Sequence, residues 1–152
     1  MTATENLQKL GIELPKVVAP LAAYQPTTRV GNQVWTSGQL PIIDGSLAAT
    51  GKVGAEVAED KAQELARAAA LNALAAIDAE VGIDNVARVL KVVVYVASDP
   101  QFYNQPEVAN GASNLMGDVF GDNGTHVRSA VGTAVLPKDA PVEVEVVAEV
   151  ND

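Results

Sequence analysis

Two stretches of the chain repeat apolar residues at helical spacing, and several others are continuously apolar or alternate at strand spacing. From Ala62 to Ala79 nine of eighteen residues are alanine, the strongest helix former. Leu65, Ala69, Asn72 or Ala73, Ala76 and Ala79 or Glu80 trace one face, which Leu74, Ile77 and Val81 extend. Glu56, Glu59 and Asp60 lie near the start, where the helix dipole favours negative charge, and Gly82 closes the end. This predicts a long helix within residues 55–81. A second helix is predicted from Pro106, a residue suited to the first helical position. There Val108, Ala112, Leu115 and Val119 form one stripe, and Gly121-Asp122-Asn123-Gly124 ends it.

The strand signals surround these helices. Val30-Gly31-Asn32-Gln33 reads as a tight turn between Thr27–Val30 and Gln33–Ser37. Val86–Ala97 carries a β-branched run that predicts a strand buried on both faces. Val127–Val135 and Val142–Val150 read as the last two strands, joined through Leu136–Pro141. A short helix over Glu5–Leu10 precedes an extended stretch punctuated by Pro15, Pro20 and Pro26, and Leu40–Ile43 leads into a loop through Asp44-Gly45 and Gly51.

The order ββαβαββ predicts an α+β domain: one mixed sheet with both helices packed on one face. The 152 residues suffice for a single domain, 1–152, with no room for a second core. Helices on one side leave a Val-rich sheet face bare, and oligomerisation is the expected remedy.

Charge and composition then narrow the function classes. Cysteine is absent and histidine occurs once, at His126, which excludes disulfides, thiolate metal sites, a cysteine nucleophile and a multi-histidine centre. A net charge of −9, with arginine only at positions 29, 67, 88 and 128, opposes binding to nucleic acid or to anionic membranes. No apolar run approaches the roughly 18 residues of a membrane span. The N-terminus lacks the basic start and apolar core of a signal peptide, so a cytoplasmic location is expected.

Candidate chemistry is sparse. Glu143, Glu145 and Glu149 share one face of the last strand with Val147, and Glu143 lies nearest a loop. Arg128 opens a strand of small and apolar residues; it must reach solvent or meet an anion, and its planar fork suits a carboxylate. His126 has no serine or cysteine partner at readable spacing, and a structural or surface role is expected for it. Tyr24, Thr36 and Ser37 are polar groups near the hairpin, and no phosphate loop or nucleophile elbow is present. The residues alone point to a metal-free acid/arginine site.

Tyr24, the run Val30–Pro41 (VGNQVWTSGQLP), Val127–Val131 (VRSAV) and Leu136–Glu145 (LPKDAPVEVE) together resemble the RidA/YjgF family. Its members are also known as endoribonuclease L-PSP or chorismate-mutase-like proteins. The likeness spans about residues 15–150, and Asn110–Ser113 is similar to a longer branch of the family. The resemblance implies a chorismate-mutase-like homotrimer with clefts between subunits. It also implies cofactor-free hydrolysis of enamines and imines of the 2-aminoacrylate type to 2-oxo acids and ammonia, as in 2-iminobutanoate/2-iminopropanoate deaminases. Residue by residue, it places the carboxylate-binding arginine on Arg128 and the water-positioning acid on Glu143. Tyr24, Ser37, Gly38 and Ala130 become cleft positions. Ala130 stands where the family often has cysteine, and Ala22-Ala23 where Gly-Pro is usual.

If the last two strands form a hairpin, Arg128 faces Glu149 and lies roughly 20 Å from Glu143. Either the pairing differs, or Arg128 of one subunit meets Glu143 of another. The leading reading is a small-molecule 2-imino acid deaminase. A non-catalytic binder of small carboxylates or 2-oxo acids is the alternative. Ribonuclease activity ranks last, because the chain has neither a basic track nor interleaved aromatics.

Overall fold

The computed structural model describes residues 1–20 and 22–152. The elements run α1 (Ala3–Lys9), β1 (Thr27–Val30), β2 (Gln33–Thr36), β3 (Ile42–Ile43), β4 (Ser46–Leu47), α2 (Glu59–Val81), β5 (Val86–Ala97), α3 (Gln105–Phe120), β6 (Val127–Thr133) and β7 (Val142–Val150), with short 3₁₀ turns between some of them. The predicted α+β architecture, with one mixed sheet, is present. The sequence pattern did not foretell the small β3–β4 ribbon or the late start of α2, whose N-cap is Ala58.

The five-stranded sheet has the order β1-β2-β7-β5-β6. This corrects the expected hairpin of the last two strands. Among the described residues β6 pairs only with β5, in parallel, while β7 lies antiparallel between β2 and β5. The cause is the β5–α3–β6 crossover: a parallel pair needs a long connection, and α3 supplies it. The edge beyond β5 is then occupied, and β7 fills the gap between β5 and β2. Its alternating valines suit a strand hydrogen-bonded on both sides.

The registers sort side chains by face. Val34, Val89, Val92, Val94, Val96, Val142, Val144, Val146 and Ala148 are buried on the helix side. They pack with the predicted α3 stripe of Val108, Ala112, Leu115 and Val119, and with Leu65, Leu74 and Ile77 of α2. Burying each such valine or leucine contributes about 1.5–3 kcal/mol. The other face is open in this chain, so β5 is covered on one side rather than both. Trp35, Val147, Lys91 and Val127 form one row across it, with Trp35 46% and Val127 66% exposed. No helix among the described residues is long and apolar enough to cross a membrane.

Candidate functional site

Between Trp35↔Val147 and Gln39↔Val144 the first strand advances four residues and its partner three. One extra residue is therefore accommodated within 36–38, a bulge at the end of β2. Below it Val146 N–H donates to Thr36 Oγ1 at 2.9 Å, and above it Gln39 and Val144 exchange backbone hydrogen bonds of 2.7 and 2.9 Å. The bulge brings Ser37 and Gly38 to the rim of a small cleft lined also by Tyr24, Pro26, Gln39 and Leu40. The buried Gln39 amide donates to Ser37 Oγ at 3.2 Å and steadies it.

Glu143 closes the group from β7. Its carboxylate packs so tightly on Gly38 that a Cβ there would stand 2.3 Å from Oε2. Only glycine leaves that carboxylate where it is. Burial pushes the Glu143 carboxyl above the usual carboxylate range, and neighbouring Glu145 adds to the rise. Glu145 is itself held by the Tyr95 hydroxyl at 2.9 Å. A carboxyl with a raised pKa, packed on the Gly38 rim of the cleft, is suited to hold and pass on a proton.

Arg128 and Ala130 are elsewhere. Arg128 pairs with Val92 and stands on the helix side of the sheet, whereas Glu143 pairs with Tyr95 on the open side. Two strand spacings and three residues of rise separate them by about 14 Å, on opposite faces. Ala130 lies two residues beyond Arg128 on the same side and packs against the core. Of the six residues singled out in the sequence, the fold gathers Tyr24, Ser37, Gly38 and Glu143 into one group. It sets Arg128 and Ala130 apart in another.

Three further polar residues surround Arg128. Its Nη1 donates to Asn110 Oδ1 at 2.8 Å and to Ser113 Oγ at 3.2 Å, both on α3. Ser113 Oγ is in turn 2.9 Å from His126 Nε2, and His126 Nδ1 is 2.6 Å from Gly124 O. His126 thus has a serine partner, though not one at readable spacing. The thirteen-residue gap from Ser113 crosses from mid-helix to the start of β6, and no local spacing reveals it. Arg128 forms no ion pair among the described residues; Arg67 and Arg88 do, with Asp118 and Glu149. Its Nε and Nη2 have no protein partner there, which leaves a half-buried cation with part of its fork open.

The family model described as "YjgF/chorismate_mutase-like, putative endoribonuclease" matches residues 5–150. The chain belongs to the YjgF/chorismate mutase-like family. Among relatives, protein TCP17 of Trypanosoma cruzi is 45% identical over 149 residues, covering 97% of this chain and 93% of that protein. The solved structure of Atu1372 from Agrobacterium tumefaciens superposes with a TM-score of 0.90 at 40% identity, over 99% of this chain and 93% of the other. E. coli TdcF, solved with bound serine, gives a TM-score of 0.58 at 26% identity, over 90% of this chain and 93% of that one. Across this YjgF-like chain the two polar groups described above lie on opposite faces of one sheet, with Arg128 and Glu143 two strands apart.

Proposed function

We propose that this protein is a cofactor-independent hydrolase of 2-imino acids, taking enamine and imine intermediates of the 2-aminoacrylate type to 2-oxo acids and ammonia. The observation that carries the reading is Arg128. It is fixed at one nitrogen by Asn110 and Ser113, has no acidic partner among the described residues, and keeps Nε and Nη2 for a ligand carboxylate. The serine held by TdcF, a small amino acid with a carboxylate, supports a ligand of that size.

A second copy of the chain supplies the missing half. Glu143, Gly38, Ser37 and Tyr24 of one subunit face Arg128 and Ala130 of another across a homotrimer interface, and the open sheet face lies inside the assembly. Arg128 holds the carboxylate while Glu143 orients a water against the imine carbon and takes its proton. The net charge of −9 opposes RNA, a polyanion, as the substrate. The test is release of 2-oxo acid from enzymatically generated 2-aminoacrylate. Faster release with the protein than without it is expected; equal rates, together with measurable pyruvate binding, would leave carboxylate binding without turnover.

A further inference from the structure

The Ser113–His126 pair is left over from that reading, and its hydrogen bonds fix the direction of its protons. Gly124 O can only accept, so His126 Nδ1 carries a hydrogen. In the neutral ring Nε2 is then a lone pair, and the Ser113 hydroxyl donates to it across 2.9 Å. When the ring is an imidazolium, Nε2–H donates instead and the Ser113 hydrogen is turned outward. Gly124 is held in place, since a Cβ there would meet Met116 O of α3 at 2.1 Å. The imidazole is thus oriented by a rigid carbonyl, and its partner hydroxyl also accepts from the permanent charge of Arg128. Asn110, Ser113, His126 and Arg128 are all half-buried, and Asn110 and Ser113 touch the Arg128 guanidinium directly.

We propose that Ser113 and His126 form a proton relay beside the carboxylate seat of Arg128, with Ser113 meeting the ligand nitrogen and His126 holding the proton behind it. The inference rests on the hydrolase reading and adds its leaving-group step. Water oxygen bonds to the iminium carbon, the C=N π pair moves to nitrogen, and the water proton passes to Glu143 of a second copy. The amino nitrogen of the resulting carbinolamine takes the Ser113 hydrogen while imidazolium Nε2–H replaces it. The C–N bond breaks with its electron pair going to nitrogen, and the hydroxyl proton passes to the departing ammonia as the carbonyl forms. Ketone and ammonium depart; Glu143 then returns one proton to solvent and His126 regains one. His126 acts through Ser113 and is a positioning residue, whereas Ser113 is the group in contact.

The chain's single histidine makes the test direct, because its imidazole NMR signals are unambiguous. In the full-length protein, pyruvate is expected to shift those signals in wild type and not in Arg128→Ala. In 2-oxo acid release, Ser113→Ala and His126→Gln are expected to lower kcat about 10²-fold with little change in KM, and Ser113→Thr to restore part of the loss. Unchanged kcat in Ser113→Ala, in an active wild-type background, overturns the relay and leaves the hydrolase reading standing. An inactive wild type that still binds pyruvate overturns the hydrolase reading, and with it the leaving-group step. If pyruvate binds and the His126 signals stay fixed, Ser113 and His126 are structural and the relay is wrong.

Discussion

Arg128 and Glu143 belong to opposite faces of one sheet: Arg128 aligns with Val92 and Val146 beneath the helices, and Glu143 with Tyr95 and Val131 on the open side. No rotamer change within one chain brings a guanidinium and a carboxylate through a sheet. A ligand that touches both therefore requires two copies.

Complementation follows. Arg128→Ala and Glu143→Gln trimers are each expected to be inactive. Subunits exchanged between them should regain activity, because some clefts then hold both intact residues. Light scattering should give three times the mass of one chain. No recovery after verified exchange, or a monomer at micromolar concentration, defeats the shared site.

Replacing Arg128 by alanine is expected to weaken binding of pyruvate or 2-oxobutyrate by about 2–5 kcal/mol, the range for losing one member of a desolvated charge pair. Lysine should recover little, since an ammonium is a point charge and cannot form two parallel hydrogen bonds. Its shorter reach also abandons Asn110 or Ser113. Calorimetry on the three proteins decides it, and equal affinities remove Arg128 from the site.

The raised pKa of Glu143 has a definite sign in stability. The native chain holds this proton more tightly than the unfolded chain, whose carboxyl titrates near the ordinary 4.5. Native stability therefore falls as pH rises from that value through the raised one, and the penalty is complete above it. Glu143→Gln avoids the penalty and is expected to be the more stable protein at pH 8, with the gap closing toward pH 4. A guanidinium arriving from a second copy opposes the shift, so the gap should be wider in an Arg128→Ala background. Urea melts at pH 4, 6 and 8 measure it; the same gap in both backgrounds means that the two groups are not neighbours.

Much of the fold was legible because period and composition are strong where the core is built. β5 matches its predicted bounds, and the α3 stripe is buried as expected. Strand pairing was not legible. Val127–Val135 and Val142–Val150 read equally well as a hairpin, and only the α3 crossover, a property of three elements together, separates them. The Tyr24–Ser37–Gly38–Glu143 group was named through family resemblance, yet its geometry depends on a one-residue bulge that leaves no mark in the hydrophobic pattern. Ser113 and His126 escaped because their contact spans a helix and a strand. Asn72 was read merely as one position on the α2 face, although it is 1% exposed and polar.

Asn72 provides the last test. Its side-chain amide donates to Leu40 O and Ile42 O, each at 3.0 Å, tying α2 to the segment that follows Gly38. Leu40 precedes the short β3–β4 ribbon and Ile42 opens it. In Asn72→Ala both lose the amide donor in a largely buried setting; Leu40 O keeps the Ile42 N–H at 2.8 Å, so Ile42 O is the one left unsatisfied. Each unsatisfied group costs about 1–3 kcal/mol, and alanine's better helix propensity returns only about 0.5 kcal/mol. A net loss of about 1–2 kcal/mol is expected, or roughly 3–7 °C in Tm for a chain of this size. Asn72→Asp keeps the shape but sets carboxylate oxygens against carbonyl oxygens, so it should be worse than alanine at pH 7. Melting must be compared at one protein concentration, since assembly contributes to apparent stability. Variants that melt within about a degree of wild type would show that the tie between α2 and residues 40–42 is dispensable.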